Sequence, residues 1–419
     1  MKLLSIFASA LLVCCTNAVG NATLSFRNVL YVGDWTIYSK GLKPKTIPYN
    51  DTTHLVYAFG NFTSDGTAYV TDEFAATEKV FDGGYHKPGH ADGLVGEFWK
   101  AKQARRSLKT LVAFGGWGGR ENWAPTMKDP QKRANFVASA TKLMLDWGMD
   151  GIDIDWEYPD TVESSRDALS LLQELRVALN ESSKTANGYH FLLSFASPAD
   201  RKKYQYFDFM EMDKALDFWS IMTYDYAGSW DNTTGHASNL LPDSDTPQAV
   251  KFNAKTPVSD YINAGINASK INVGLPLYGH VFSKTNGLGE SYEGHPEALT
   301  SGFVQLKDLP HTSNSKEYFD EKAMAAYSYD GNAREFISYE NKKSASKKVN
   351  FVAVLELGGM MYWDASGDRV GNESIVKHVA KEFDLFGQLE RSENNLVYPG
   401  SKYANIRTLN GSQIWYGRI

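Results

Sequence analysis

Three carboxylates stand at alternate positions in the run Asp150-Gly151-Ile152-Asp153-Ile154-Asp155-Trp156-Glu157-Tyr158-Pro159. Side chains alternate along a β-strand. Asp153, Asp155 and Glu157 therefore share one face, and Ile152, Ile154 and Trp156 share the other. Asp150 has the wrong parity to join the acidic row. A rise of ~3.3 Å per residue spaces neighbours in the row by about 7 Å. At an effective dielectric of ~20, two charges at that distance repel by about 2.4 kcal/mol, which is between one and two pKa units. Three such acids cannot all ionise cheaply, so protons must be shared. Glu157 lies nearest the C-terminal end of the strand and is the best placed to stay protonated and act as an acid. Two other readings compete. A calcium loop would need turn residues and a glycine between its ligands, whereas here Ile and Trp alternate with the acids. A purely structural acid cluster would bury three acids at a cost that nothing returns.

An acidic row of this kind needs a sheet to hold it. Apolar runs rich in β-formers recur along the chain at Val29–Val32, His54–Phe59, Thr110–Phe114, Gly151–Trp156, Phe191–Phe195, Phe218–Met222, Ile271–Leu275 and Val352–Tyr362. Runs of this type suit parallel strands covered on both faces. Helical patterns lie between them. Asp129-Pro130 caps one, with Phe136, Ala140, Leu143 and Trp147 on its apolar stripe. A second spans about Ser165 to Asn180, where Ser164-x-x-Asp167 resembles a capping box. Pro257–Ile266 and Glu373–Phe383 are the next two. Eightfold strand–helix alternation predicts a (β/α)8 TIM barrel, an α/β fold with its active site at the C-terminal ends of the strands. A doubly wound open sheet is the structural alternative.

About 70 residues, 281–350, separate the seventh and eighth strands, too many for a structureless loop. They read as a small α+β insertion on the active-site side. The expected organisation is a leader at 1–18, barrel at 26–280 and 351–390, insertion at 281–350, and a tail at 391–419 packed on the barrel.

The leader has Lys2, an apolar run from Leu3 to Cys15 and small residues at Thr16-Asn17-Ala18, the layout of a secretory signal peptide. The run is too short to span a bilayer. Cleavage would remove both cysteines and leave a chain without disulfides or thiolate metal sites. Secretion gives meaning to the sequons at Asn21, Asn50, Asn61, Asn180, Asn232, Asn267, Asn372 and Asn410. The formal charge of −6 offers no electrostatic case for nucleic acid or an anionic membrane, and a monomer is expected.

Aromatic residues make up 13% of the chain, and Trp35, Trp117, Trp230 and Trp363 fall at strand ends. Flat aromatic platforms suit the C–H faces of pyranose rings. Trp147, Trp156 and Trp219 read as packing residues instead.

The acidic strand resembles the D-G-x-D-x-D-x-E signature of family 18 glycoside hydrolases, the chitinases and their relatives. Met222-Thr223-Tyr224-Asp225 resembles the family's M-x-Y-D, and Phe114-Gly115-Gly116-Trp117 its strand-three G-G-W. Gly358-Gly359-Met360-Met361-Tyr362-Trp363 resembles the strand-eight segment that ends in a sugar-stacking Trp, and Gly274-Leu275-Pro276-Leu277-Tyr278-Gly279 the strand-seven segment of the chitinase branch. Tyr31 falls where the family has a strand-one Tyr. Two departures stand out. Ala113 replaces a Ser whose hydroxyl is expected to hold the innermost acid, and His280 replaces an Arg after the strand-seven Tyr-Gly.

The resemblance implies an endo-acting chitinase that retains configuration by substrate-assisted chemistry, the sugar's own acetamido group attacking the anomeric carbon. In that scheme Glu157 is acid then base, Asp155 orients the acetamido N–H, Asp153 shares a proton with Asp155, Tyr224 holds the acetamido oxygen and Asp225 helps bind a distorted sugar. Trp363, Tyr31, Trp117, Gly116, Met222, Tyr278 and Trp230 are the implied substrate contacts. The implied partner is chitin or N-acetylglucosamine oligomers, with no metal or organic cofactor. A chitin-binding lectin and an endo-β-N-acetylglucosaminidase on N-linked glycans are the alternatives on the same scaffold.

Overall fold

The structure is a computed structural model that describes residues 23–81, 83–295 and 302–407. The leader, both cysteines and the sequons at Asn21 and Asn410 lie outside the described residues.

Eight strands run parallel and close into a barrel. In chain order they are Leu24–Gly33, His54–Phe62, Lys109–Gly115, Gly151–Asp155, Leu192–Pro198, Phe218–Met222, Ile271–Pro276 and Gly359–Trp363. Closure comes from the first strand, which pairs with both the second and the eighth. The open sheet is thereby excluded. Ile152, Ile154 and Trp156 pack outward into the large core between strands and helices. Inside the barrel a smaller apolar cluster, with Val29, Tyr31, Val56, Leu111, Ala113 and Met361, fills the space beneath the acids. Trp147, Trp156 and Trp219 are all buried.

Several boundaries differ from the sequence expectation. The eighth strand starts at Gly359, and Val352 belongs to the helix Lys342–Val354. Ala345, Val349 and Val352 are buried on that helix at a spacing of four and three, so the helical period wins over local β-propensity. The helix expected from Ser165 runs Val162–Ser183 and is capped one turn earlier: Thr161 and Ser164 form the capping box, not Ser164 and Asp167. The fourth strand ends at Asp155, which leaves Trp156 and Glu157 on the turn that follows.

Between the seventh and eighth strands lies a five-stranded antiparallel sheet. Its strands are Tyr278–Phe282, Phe303–Gln305, Lys316–Asp320, Ala325–Asp330 and Glu335–Tyr339. Tyr278–Phe282, counted above with the barrel through residue 280, is one of its central strands. Past Gly387–Leu389 the chain crosses the N-terminal end of the barrel. There Asn394 Nδ2 donates to the carbonyls of Lys102, Arg105 and Leu108.

Candidate active site

A cleft of about 920 Å³ opens at the C-terminal ends of the barrel strands. Asp155, Glu157, Met222, Tyr224, Asp225, Tyr278, Trp363, Tyr31, Trp117 and Trp230 all line it. Asp153 and Gly116 do not. Asp153 lies below the floor, fully buried. Gly116 supports the wall: its φ is +75°, and a Cβ there would come within 2.5 Å of the Phe59 ring.

The acidic row is graded by depth. Asp153 accepts hydrogen bonds on both oxygens, from Tyr31 Oη at 2.8 Å and from Ser194 Oγ at 2.6 Å. Burial pushes its carboxyl up to about 6, against the pull of those two donors. Asp155 is 5% exposed, and its Oδ1 has no hydrogen-bond partner. Burial holds its carboxyl well above the usual range, and Glu157 and Asp153 add to the effect. Glu157 is half-buried at the cleft. Burial pushes it up to about 7; a hydrogen bond from Tyr158 and the charge of Arg120 oppose this, and Asp225 reinforces it. A carboxyl at that value is balanced between giving and taking a proton near neutrality.

Across the cleft, Tyr224 follows the sixth strand, its hydroxyl 3.8 Å from Met361 Sδ. Burial and the charges of Asp155 and Asp225 raise its pKa, so the hydroxyl stays a donor. Asp225 takes a left-handed backbone, φ +57°, which Asp tolerates better than most residues. Its Oδ1 accepts from Tyr278 Oη at 2.7 Å and is 2.8 Å from His280 Nε2. Trp363 stands at the cleft floor, stacked on Phe59 at 5.5 Å and edge-on to Tyr31 at 5.8 Å. Trp117 and Trp230 are 60% and 59% exposed. Arg120 covers one face of Trp117 at 4.2 Å, and Trp230 meets the edge of His280 at 5.4 Å. Trp35 backs Phe59 and Trp363.

The model for glycosyl hydrolases family 18 matches residues 27–368. The chain belongs to this family. Among relatives, Chitinase 1 of Aphanocladium album is 36% identical over 386 residues, covering 91% of the chain and 90% of that protein. Endochitinase 1 of Metarhizium robertsii is also 36% identical, over 384 residues and with the same coverage. The catalytic domain of the psychrophilic chitinase B from Arthrobacter TAD20 superposes with a TM-score of 0.81 at 25% identity, covering 88% of the chain and 98% of that domain. The chain is thus a glycoside hydrolase of the chitinase family.

Sequence reading missed several residues of this family 18 site. Phe59, Tyr158, Lys203, Phe303, Gln305 and Asp364 also line the cleft. Tyr158 could have been found, since it adjoins Glu157. Phe303 and Gln305 could not, because the insertion brings them in from far along the chain. Ser194 gave a weak signal as the one hydroxyl in Leu192–Phe195. The departure at His280 leaves a nitrogen donor on Asp225. Among the described residues no helix is long and apolar enough to cross a membrane.

Proposed function

We propose that the enzyme is a secreted, endo-acting chitinase that cleaves β-1,4 bonds between N-acetylglucosamine units with retention of configuration. The reading rests chiefly on one arrangement: Glu157, with its carboxyl at about 7, and Asp155, with an unpaired oxygen, face a cleft whose floor is Trp363 and whose far side carries the Tyr224 hydroxyl.

A sugar stacked on Trp363 would present its 2-acetamido group to Asp155 and Tyr224. Glu157 gives its proton to the glycosidic oxygen as the C1–O bond breaks. The acetamido carbonyl oxygen closes on C1, and the N–H of the oxazolinium ion so formed is held by Asp155. Tyr224 donates to the acetamido oxygen and steers its approach. Water then loses a proton to Glu157 and opens the ring, so that two inversions restore the starting configuration and Glu157 regains its proton. Trp117 and Trp230, exposed on the walls, are the platforms for sugars on either side of the cut. The cleft's alignment of several platforms supports binding of an internal stretch of chain.

Secretion is supported by the leader's layout and by the exposure of Asn50, Asn180, Asn232, Asn267 and Asn372 among the described sequons. N-terminal sequencing of the protein from culture medium should begin after Ala18.

The test is a product time course on chitohexaose with anomer analysis. Dimers, trimers and tetramers should appear early, with the β-anomer dominant. Glu157→Gln should lower kcat by roughly 10²–10⁴. Early α-anomer, or a fully active Glu157→Gln, overturns the assignment.

A further inference from the structure

Asp153 has two neighbours in the barrel wall. It pairs in register with Ala113 on the third strand and with Ser194 on the fifth. Neighbours in register point their side chains to the same side of the sheet, so both flanking positions face the barrel interior beside Asp153. One flank offers only a methyl group. The other offers a hydroxyl that is fully buried and donates to Asp153 Oδ1 at 2.6 Å. Tyr31 occupies the second carboxylate oxygen from the first strand.

This asymmetry decides where a shared proton rests. Two buried hydroxyl donors favour the ionised form of Asp153. Asp155 has an oxygen with no donor at all and lies beside Glu157. With one proton between the two aspartates, the partner whose oxygens already accept two hydrogen bonds gives it up. The proton stays on Asp155, the member that faces the cleft.

We propose that Ser194 is a positioning residue of this enzyme: its hydroxyl holds Asp153 from the fifth strand, where the third strand supplies none, and so keeps the shared proton on Asp155. The proposal rests on the chitinase reading for its kinetic consequences, but not for its proton placement.

Ser194→Ala should leave Asp153 Oδ1 buried without a donor, and the proton should move to Asp153. Asp155 is then ionised beside Glu157. On a fluorogenic chitobioside, kcat should fall about tenfold or more while KM changes less than twofold. The alkaline limb of kcat/KM should move up by several tenths of a pH unit, because an ionised Asp155 makes Glu157 harder to deprotonate. A side chain that merely fills space would not move that limb. Ser194→Thr keeps the hydroxyl and should keep most of kcat. The double variant A113S/S194A places a hydroxyl on the opposite flank and should recover both kcat and the limb. Wild-type kcat and limb in Ser194→Ala overturn the proposal. So does a loss that neither Ser194→Thr nor the double variant reverses at unchanged Tm. Should Ser194→Ala not fold, Ser194→Cys, with a weaker donor of similar shape, is read the same way, and identity with the wild type overturns the proposal. A carbon-13 carboxyl titration of aspartate-labelled protein follows the proton without substrate. Asp153 should titrate at higher pH in Ser194→Ala, and an unchanged titration overturns the proposal. A wild type inert toward chitin oligomers but showing this shift would sink the chitinase reading alone.

Discussion

Asp150 and Asp155 are buried acids five residues apart on one segment, and they are treated in opposite ways. Asp150 lies at the N-terminal end of the barrel. It meets Lys102 Nζ at 2.8 Å and accepts from the backbone N–H groups of Thr110 and Asn395, each at 2.8 Å. Lys102 in turn donates to the Gly148 carbonyl and is lowered by burial to about 8, with Asp150 opposing the shift. Both oxygens of Asp150 and the Lys102 ammonium are matched by protein. Asp155, at the other end, has an orphan oxygen and two acidic neighbours. Burial with partners ties the tail to the barrel floor. Burial without partners raises proton affinity and leaves Asp155, on the cleft lining, with hydrogen-bonding capacity unused by the protein.

The contrast can be broken most severely by exchanging the consequences of mutation. Asp155→Asn should lower kcat by roughly 10²–10⁴ on chitohexaose without loss of Tm. Carboxyls held at about 6 and 7, like Asp153 and Glu157, bind protons more tightly folded than unfolded. Such groups stabilise the fold fully below about pH 4, and the contribution is lost as pH rises through 6 to 7. Any Tm gain of Asp155→Asn should therefore be larger at pH 8 than at pH 4, as scanning calorimetry would show.

Asp150→Asn should do the reverse. It leaves Lys102 as a buried cation without its partner, at a cost of about 3–5 kcal/mol, read from the urea midpoint. The shape of the pH–rate profile should not change. A stable Asp150→Asn with an altered profile would falsify the division between the two ends.

The remaining predictions sharpen the catalytic side. In the wild type, kcat/KM should fall about tenfold per pH unit above about pH 7, where Glu157 loses its proton. Arg120→Gln should move that limb up by a few tenths of a unit, since the Arg120 charge favours the ionised Glu157. It should also loosen the Trp117 platform, which Arg120 covers at 4.2 Å, and raise KM modestly for long oligomers but not for a dimer. A limb that moves down places the acid elsewhere.

Much of this was legible in one dimension. Alternation along a strand has a period of two, so the order of residues alone sorts Ile152, Asp153, Ile154 and Asp155 into outward and inward sets. The spacing of apolar runs counted the eight strands, because each parallel strand must be covered on both faces. The run Val352–Tyr362 reads as one strand although its start is helical, because a short apolar run satisfies both periods until its neighbours are counted.

Chain order alone fixed which residue types could form an acidic row, and on which face, since that follows from local geometry. Only barrel closure decided what surrounds them. Tyr31, Ser194 and Met361 come from three different strands to meet Asp153 and Tyr224. Phe303 and Gln305 enter the cleft through strand pairing in the insertion. Proton affinity depends on burial and on partners drawn from distant parts of the chain, and a linear string specifies neither until the sheet has curled shut.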